Sequence, residues 1–283
     1  MDYKEHTPPP SLRDLVHRIW VLRGPADPAA RFQRIMPDGR AELIFNLADA
    51  IESRERHGAE RQPLSLLVGP NRTAVEIRPT GQLHLIGVRF RPEALSAWLR
   101  INASELVDRA YRVDDLPVPL ERSLAEQLAS VDDGAAVSML CRHLAASATL
   151  VPADLRLRAA VELALGDHEA RPAAIAETVG MSHRQLDRLF RERVGIGPKP
   201  LLRLGRFQRA LRMLEQGGRR PIAAAAVGAG YYDEAHLARD FRLFAGLSPG
   251  RYLRETRELA RNFIADLDSR DGEFFQDGEP RGR

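Results

Sequence analysis

One pattern in the second half of the chain occurs twice. Leu186-Asp187-Arg188-Leu189-Phe190, followed by Gly195 and Pro198, returns as Leu237-Ala238-Arg239-Asp240-Phe241, Gly246 and Pro249, with every matched pair 51 residues apart. Self-similarity at a fixed offset marks a duplicated supersecondary unit, so any fold for this chain has to build that unit twice. Upstream of each copy an alanine-rich stretch, 173–179 and 222–229, stops at a glycine, Gly180 and Gly230. This reads as a short helix, a tight turn and a second helix. The first helix is expected to bury Ala174, Ile175 and Val179, and the glycine supplies the left-handed backbone that the turn requires. Ser182 and Asp233 then cap the second helix through a side-chain oxygen. That helix buries Leu186, Leu189 and Phe190 in the first copy, and Leu237 and Phe241 in the second. The unit is a helix-turn-helix, and the outer face of its second helix is free to enter a major groove. The first copy presents His183, Arg184, Asp187 and Arg188 there, with Ser182 and Gln185 at the helix start. The second presents Glu234, Ala235, Ala238 and Arg239, with Tyr232 just before them.

Between the copies, 200–216 carries Leu201, Leu204, Phe207, Leu211 and Leu214 on one helical stripe. Seventeen residues of helix span about 25 Å, and the width of the flanking helices brings the two faces near ~34 Å, one turn of B-DNA. Charge agrees with this placement. The chain as a whole is only +3, but 153–256 holds 18 Arg and Lys against 12 Asp and Glu, and 182–212 alone holds nine against two. A cationic stripe on a nearly neutral protein is the footprint of phosphate binding; a merely solvated arginine face has the same composition. Arg203 and Arg206 are read as phosphate contacts on the connecting helix, with an ion pair inside the domain as the alternative for Arg206. Arg188 and Arg239 match guanine as planar forks, the alternative again being internal salt bridges.

The first half reads as β-rich. Glu42–Asn46 follows a Pro37-Asp38-Gly39 turn, 64–69 is a short apolar run, and Val75–Phe90 with Pro79-Thr80-Gly81 inside it reads as a hairpin. After Phe90 the period becomes helical: Pro92 suits a first turn, and 117–130 and 134–148 carry leucine stripes. The fold class is therefore α+β. The expected organisation is a β-rich domain at 1–115, a helical linker at 116–152, an all-helical domain at 153–257 and a fraying extension at 258–283.

The run Ile175-Ala176, Gly180-Met181-Ser182, Leu186, Arg188-Leu189-Phe190, Gly195 and Pro198 resembles the first half of an AraC/XylS-type DNA-binding domain. Gly230-Tyr231-Tyr232-Asp233, Leu237, Arg239, Phe241, Gly246-Leu247-Ser248-Pro249 and Tyr252-Leu253-Arg254 resemble its second half. That resemblance, over about 154–256, implies seven helices with two recognition helices and a role at promoters. Arg184, Asp187 and Arg188 then fall on base-facing positions of the first recognition helix, and Glu234, Ala235, Ala238 and Arg239 on those of the second. The two alanines and the acid leave the second helix few donors for bases, which points to backbone contact. The first half is similar to the cupin-like β-barrel that many such regulators carry, on Pro37-Asp38-Gly39, 42–46, Val68-Gly69 and 87–92. In relatives that domain senses a small molecule.

Other chemistries lack their residues. No Gly-x-x-x-x-Gly-Lys or Gly-x-Gly-x-x-Gly occurs. His84 stands in a predicted strand without a His-x-His partner, and reads as structural rather than metal-binding. The single cysteine, Cys141, reads as a small buried apolar residue. No metal or cofactor is expected, and no enzymatic activity. No secretory pattern or membrane-length apolar run is seen, so a cytoplasmic site is expected. The expected partners are double-stranded promoter DNA, RNA polymerase and an unidentified small-molecule effector, and the 117–148 helices could join two copies. Two rival functions stay open: an enzyme with a catalytic barrel tethered to a DNA-binding tail, and a protein–protein adaptor that has lost DNA binding.

Overall fold

The computed structural model of the protein describes residues 2–27, 30–55, 58–117, 120, 123–148, 154–166, 170–216 and 221–255. The expected boundary at Val151-Pro152 and the extension at 258–283 lie outside them. Ten strands come first: β1 (Asp2–His6), β2 (Val16–Gly24), β3 (Gln33–Ile35), β4 (Glu42–Asn46), β5 (Ile51–Glu55), β6 (Gly58–Arg61), β7 (Ser65–Val68), β8 (Val75–Pro79), β9 (Leu83–Phe90) and β10 (Ala110–Arg112). They form a six-stranded sheet in the order β1-β2-β9-β4-β7-β10 and a four-stranded sheet in the order β3-β8-β5-β6. Every ladder is antiparallel.

The expected hairpin between β8 and β9 does not form. β9 is central in the first sheet, between β2 and β4, while β8 pairs with β3 and β5 in the other. All eight residues of β9 are buried, a requirement only a strand covered on both faces can meet. Residues 80–82 therefore carry the chain from sheet to sheet, held where the Gln82 amide donates to Asp49 Oδ2 at 2.7 Å.

Three helices cover the outer face of the first sheet: α1 (Leu95–Leu99), α2 (Leu124–Ala129) and α3 (Asp133–Ala148). Leu124, Leu128, Leu140 and Leu144 share one core with Val21, Leu43, Phe45 and Val88. The helices expected as a linker are thus part of the sheet's own core. Pro92 sits in a turn ahead of α1 rather than in its first turn. His84 Nε2 lies 3.0 Å from Asp133 Oδ1 at the start of α3, where Arg23 also binds at 2.8 Å. Cys141 is half-buried on α3, and burial pushes its thiol pKa up. On the inner face, Trp20, Leu22 and Leu85 of the first sheet meet Ile51 and Ile77 of the second.

Seven α-helices make up the rest of the described residues: α4 (Leu155–Gly166), α5 (Pro172–Thr178), α6 (His183–Leu189), α7 (Pro198–Gln216), α8 (Ile222–Gly228), α9 (Glu234–Ala245) and α10 (Pro249–Glu255). Their core joins Leu157, Ile175, Leu186, Phe190, Phe207 and Phe241, and takes in Met36 from the strand half. α7 is 19 residues long, starting at Pro198 where the missing N–H costs nothing. The buried pair on α5 is Ile175 and Ala176; Ala174, expected inside, is exposed.

The two halves meet in a tight seam. Arg158 on α4 binds Glu93 at 3.1 Å and Asp14 at 2.9 Å, and Arg193 reaches Ser96 Oγ at 3.2 Å. Beside them Gly195, at φ +83°, leaves no room: a Cβ there would lie 2.6 Å from the Ala103 carbonyl oxygen and 2.7 Å from Val107. Gly195→Ala is therefore expected to lose about 2–4 kcal/mol, from left-handed strain plus the clash, as a lower midpoint in urea unfolding. An unchanged midpoint would show that the seam can open at no cost.

Candidate nucleic-acid interface

The first helix-turn-helix is assembled from local bonds. After α5 the chain turns at Gly180 (φ +62°), with the Met181 amide donating to the Ala176 carbonyl at 2.8 Å. Arg156 on α4 clasps this turn, donating to the carbonyl of Val179 at 2.7 Å and to that of Gly180. Ser182 then closes a capping box. Its Oγ accepts from the Gln185 amide at 3.3 Å, and Gln185 Oε1 accepts from the Ser182 amide at 2.9 Å. Gln185 is thus tied to the helix start. α6 buries Leu186 and leaves His183, Arg184, Gln185, Asp187 and Arg188 exposed on the outer side.

Two ion pairs form on and just beyond that face. Arg188 Nη1 donates to Glu192 at 3.0 Å, and Arg191 Nε donates to Asp187 at 2.9 Å. Both are exposed i,i+4 pairs, each worth about 0.3–0.5 kcal/mol, so either arginine can be released cheaply. The helix continues through a π-turn, Phe190–Val194, from which Arg193 reaches back to the strand half.

The second unit repeats the scheme with different chemistry. Gly230 turns at φ +85°, and Asp233 Oδ1 accepts from the His236 amide at 2.7 Å to cap α9. Tyr232, Glu234, Ala235 and Arg239 are exposed, with Tyr232 at 90%, while Ala238 is half-buried. The outer side of α9 offers the guanidiniums of Arg239 and, one turn further on, Arg242, beside the Glu234 carboxylate and two methyl groups.

Arg203 and Arg206, both on α7, are engaged inside the domain, as is Arg209, which donates to the Leu165 carbonyl at 3.0 Å. Arg203 binds Asp240 Oδ1 through Nε at 3.0 Å and Nη2 at 2.5 Å, and Asp240 also accepts from the Tyr231 hydroxyl at 3.2 Å. Asp240 is 1% exposed, and a buried carboxylate needs such a partner. Burial and this neighbouring carboxylate push the Tyr231 hydroxyl pKa above its usual range. Arg206 lies over the Tyr231 ring, 5.5 Å from its centre, instead of meeting an acid. The expected ion pair therefore exists, but on Arg203. The sequence reading also missed Arg156, Arg193 and Gln208, whose partners are distant in the chain and leave no local signal.

A second feature lies behind α9. A cavity of about 750 Å³ separates the two sheets from the end of that helix, with Ile44, Leu66, Arg89, Gln208 and Phe244 among its walls. Arg89, 3% exposed, is bound to Glu42 at 2.7 Å. Burial pushes the Glu42 carboxyl pKa up, opposed by the Arg89 charge. Among the described residues no three His, Cys, Asp or Glu side chains gather as a metal site, and no helix is long and apolar enough to cross a membrane.

Two capped helix-turn-helix units on one shared helix define the helical half as a double helix-turn-helix domain. Residues 175–255 match a family described as a helix-turn-helix domain, and residues 4–112 match one described as a domain of unknown function (DUF6597). An uncharacterized HTH-type transcriptional regulator of Haemophilus influenzae is 33% identical over 78 residues, 28% of this chain and 26% of that protein. The chain thus spans about a quarter of that relative's length. Among solved structures, ToxT from Vibrio cholerae is similar at 10% identity and a TM-score of 0.48, over 90% of this chain and 98% of that one. An AraC-type regulator from Chromobacterium violaceum is 27% identical with a TM-score of 0.34, over 36% of this chain and 91% of that one. Residues 175–255 of this chain thus form a helix-turn-helix domain.

Arg203→Ala leaves Asp240 buried without its cation. It is expected to destabilise the protein by about 2–4 kcal/mol, read as a lower unfolding midpoint. Weaker DNA binding with unchanged stability would return Arg203 to the phosphate contacts.

Proposed function

We propose that this protein is a promoter-binding transcription regulator that addresses two successive major-groove segments with α6 and α9. The observation that carries the reading is the capped, outward face of α6, with Arg184 and Arg188 exposed on a helix start held by Ser182, Gln185 and Arg156. α7 spans about 28 Å at 1.5 Å per residue, a rod that suits heads one DNA turn apart. Arg184, Arg188 and His183 supply the base and phosphate contacts of the first head, with Asp187 beside them. The second head contributes Tyr232, Glu234, Ala235, Ala238 and Arg239, chiefly against the DNA backbone. Arg203 and Arg206 serve as supports of the domain in this reading. Phosphate neutralisation provides most of the affinity, so binding falls steeply with salt.

The strand half, taken as 1–115 with the helices of 116–152, receives a small-molecule effector. The cavity behind α9 favours this reading, since its size falls within the range of ligand sites, about 300–1,000 Å³. RNA polymerase and a second copy of the chain are further partners that such a regulator expects, and it acts in the cytoplasm as a non-enzyme.

Recovery of bound fragments from a random DNA pool supplies the operator. Fluorescence anisotropy on that operator is then expected to show Arg188→Ala weakened by about 1–3 kcal/mol and indifferent to one base pair that the parent reads. Equal affinity and base preference in the two proteins would remove Arg188 from the reading head.

A further inference from the structure

Backbone contact leaves part of the second head's face without a role. Arg239 and Arg242 suit phosphates, as does the hydroxyl of Tyr232, 90% exposed ahead of α9. Glu234 and Ala235 do not. A carboxylate is repelled by phosphate, and a methyl group makes no hydrogen bond to it. Both residues are exposed in the first turn of α9, the part of a recognition helix that meets base edges.

The surroundings of Glu234 sharpen the contrast with the first head. On and just after α6 each carboxylate is held by an arginine one turn away, Asp187 by Arg191 at 2.9 Å and Glu192 by Arg188 at 3.0 Å. One turn beyond Glu234 stand Leu237 and Ala238, and among the described residues no arginine or lysine pairs with it. Asp233 beside it is occupied as the cap, accepting from the His236 amide at 2.7 Å. The helix macrodipole favours an acid at this position in the free protein, but gives it nothing to meet on DNA. Of the groups exposed in the major groove, the amino groups of cytosine and adenine donate. Adenine sets the N7 acceptor beside its amino group, so a carboxylate favours cytosine N4. Ala235 stands 51 residues after Arg184, at the matching place in the repeat, and puts a methyl group where the first head has a guanidinium. Its counterpart in the groove is the C5-methyl of thymine.

We infer that the second head reads pyrimidines, Glu234 accepting from N4 of a cytosine and Ala235 packing on the C5-methyl of a thymine in the second operator segment. The inference rests on the promoter-binding reading and names the DNA that its second head takes.

Fluorescence anisotropy of the full chain on the operator recovered from the random pool tests it. Replacing the C·G pair by T·A exchanges the N4 donor for an acceptor, and is expected to weaken the parent about fivefold or more. Deoxyuridine in place of the thymine removes the methyl alone, and is expected to weaken it about fourfold, the factor for burying one such group. Glu234→Gln is expected to move the preference at the cytosine position to adenine, since a carboxamide donates and accepts as adenine requires. Ala235→Gly is expected to bind the thymine and deoxyuridine operators alike. Should that variant not fold, the parent's response to deoxyuridine stands as the test of the methyl contact. A role confined to the helix start would lower the unfolding midpoint of the variants and leave their base preference as it was. A second segment without cytosine or thymine preference, a parent indifferent to either exchange, or a Glu234→Gln variant that still prefers cytosine would each overturn the pyrimidine reading and leave the second head on the backbone. Recovery of no operator from the pool would overturn the promoter-binding reading itself.

Discussion

The arrangement depends on α7 being packed on several sides at once. Leu201, Leu204, Phe207, Ala210, Leu211 and Leu214 are buried along it, and Phe207 lies 5.1 Å from Phe241 and 5.0 Å from Phe244. At Gly205 the helix approaches α4 so closely that a Cβ would stand 2.8 Å from the Ala164 carbonyl oxygen. Toward the strand half, Gly39 leaves the space that the Leu201 and Leu204 side chains fill. Interiors packed at this density transmit displacement rather than absorb it. A helix gripped by α4, by α9 and by the sheets therefore ties the separation of the two heads to the rest of the molecule.

The heads are held differently. The first is tied to the strand half by charge and by contact: Arg193 to Ser96, Arg158 to Glu93, and Gly195 against Ala103. The second touches that half at the edge of a cavity, with the Ala74 amide donating to the Phe244 carbonyl at 2.6 Å and Arg34 pairing with Glu255 at 3.1 Å. Close packing stiffens the first contact, while empty space beside Phe244 leaves the second with fewer neighbours to lose.

Much of the helical half was legible in the sequence because its determinants are local. Glycines at turns, Ser182 and Asp233 as caps, and leucine and phenylalanine at helical spacing act within a few residues of where they stand. The partners of strands and arginines are not local. Alternation in 75–79 and 83–90 shows two strands but not that they lie in different sheets, and the unbroken burial of β9 comes from two layers supplied elsewhere. Arg203 and Arg206 belong to one basic stripe in the sequence, and only the buried Asp240, 37 residues beyond Arg203, separates their environments. Ala174 and Ala176 are chemically identical, so composition could not say which faces inward.

If the protein is the promoter-binding regulator proposed above, the paired charges on and just after α6 bear on how it finds its target. Arg184, Arg188 and Arg191 face outward alongside Asp187 and Glu192, so three guanidiniums and two carboxylates nearly cancel at a distance. Beyond a Debye length of about 8 Å in physiological salt, this cluster alone offers a polyanion little pull, and the long-range attraction of 182–212 comes from its other basic residues. The proposed contacts add to that attraction at close range, once phosphates or base edges displace the carboxylates from their arginines. On the proposed reading, search along non-cognate sequence is then fast and weakly held at this face, and residence time is conferred by the site at which the arginines change partners.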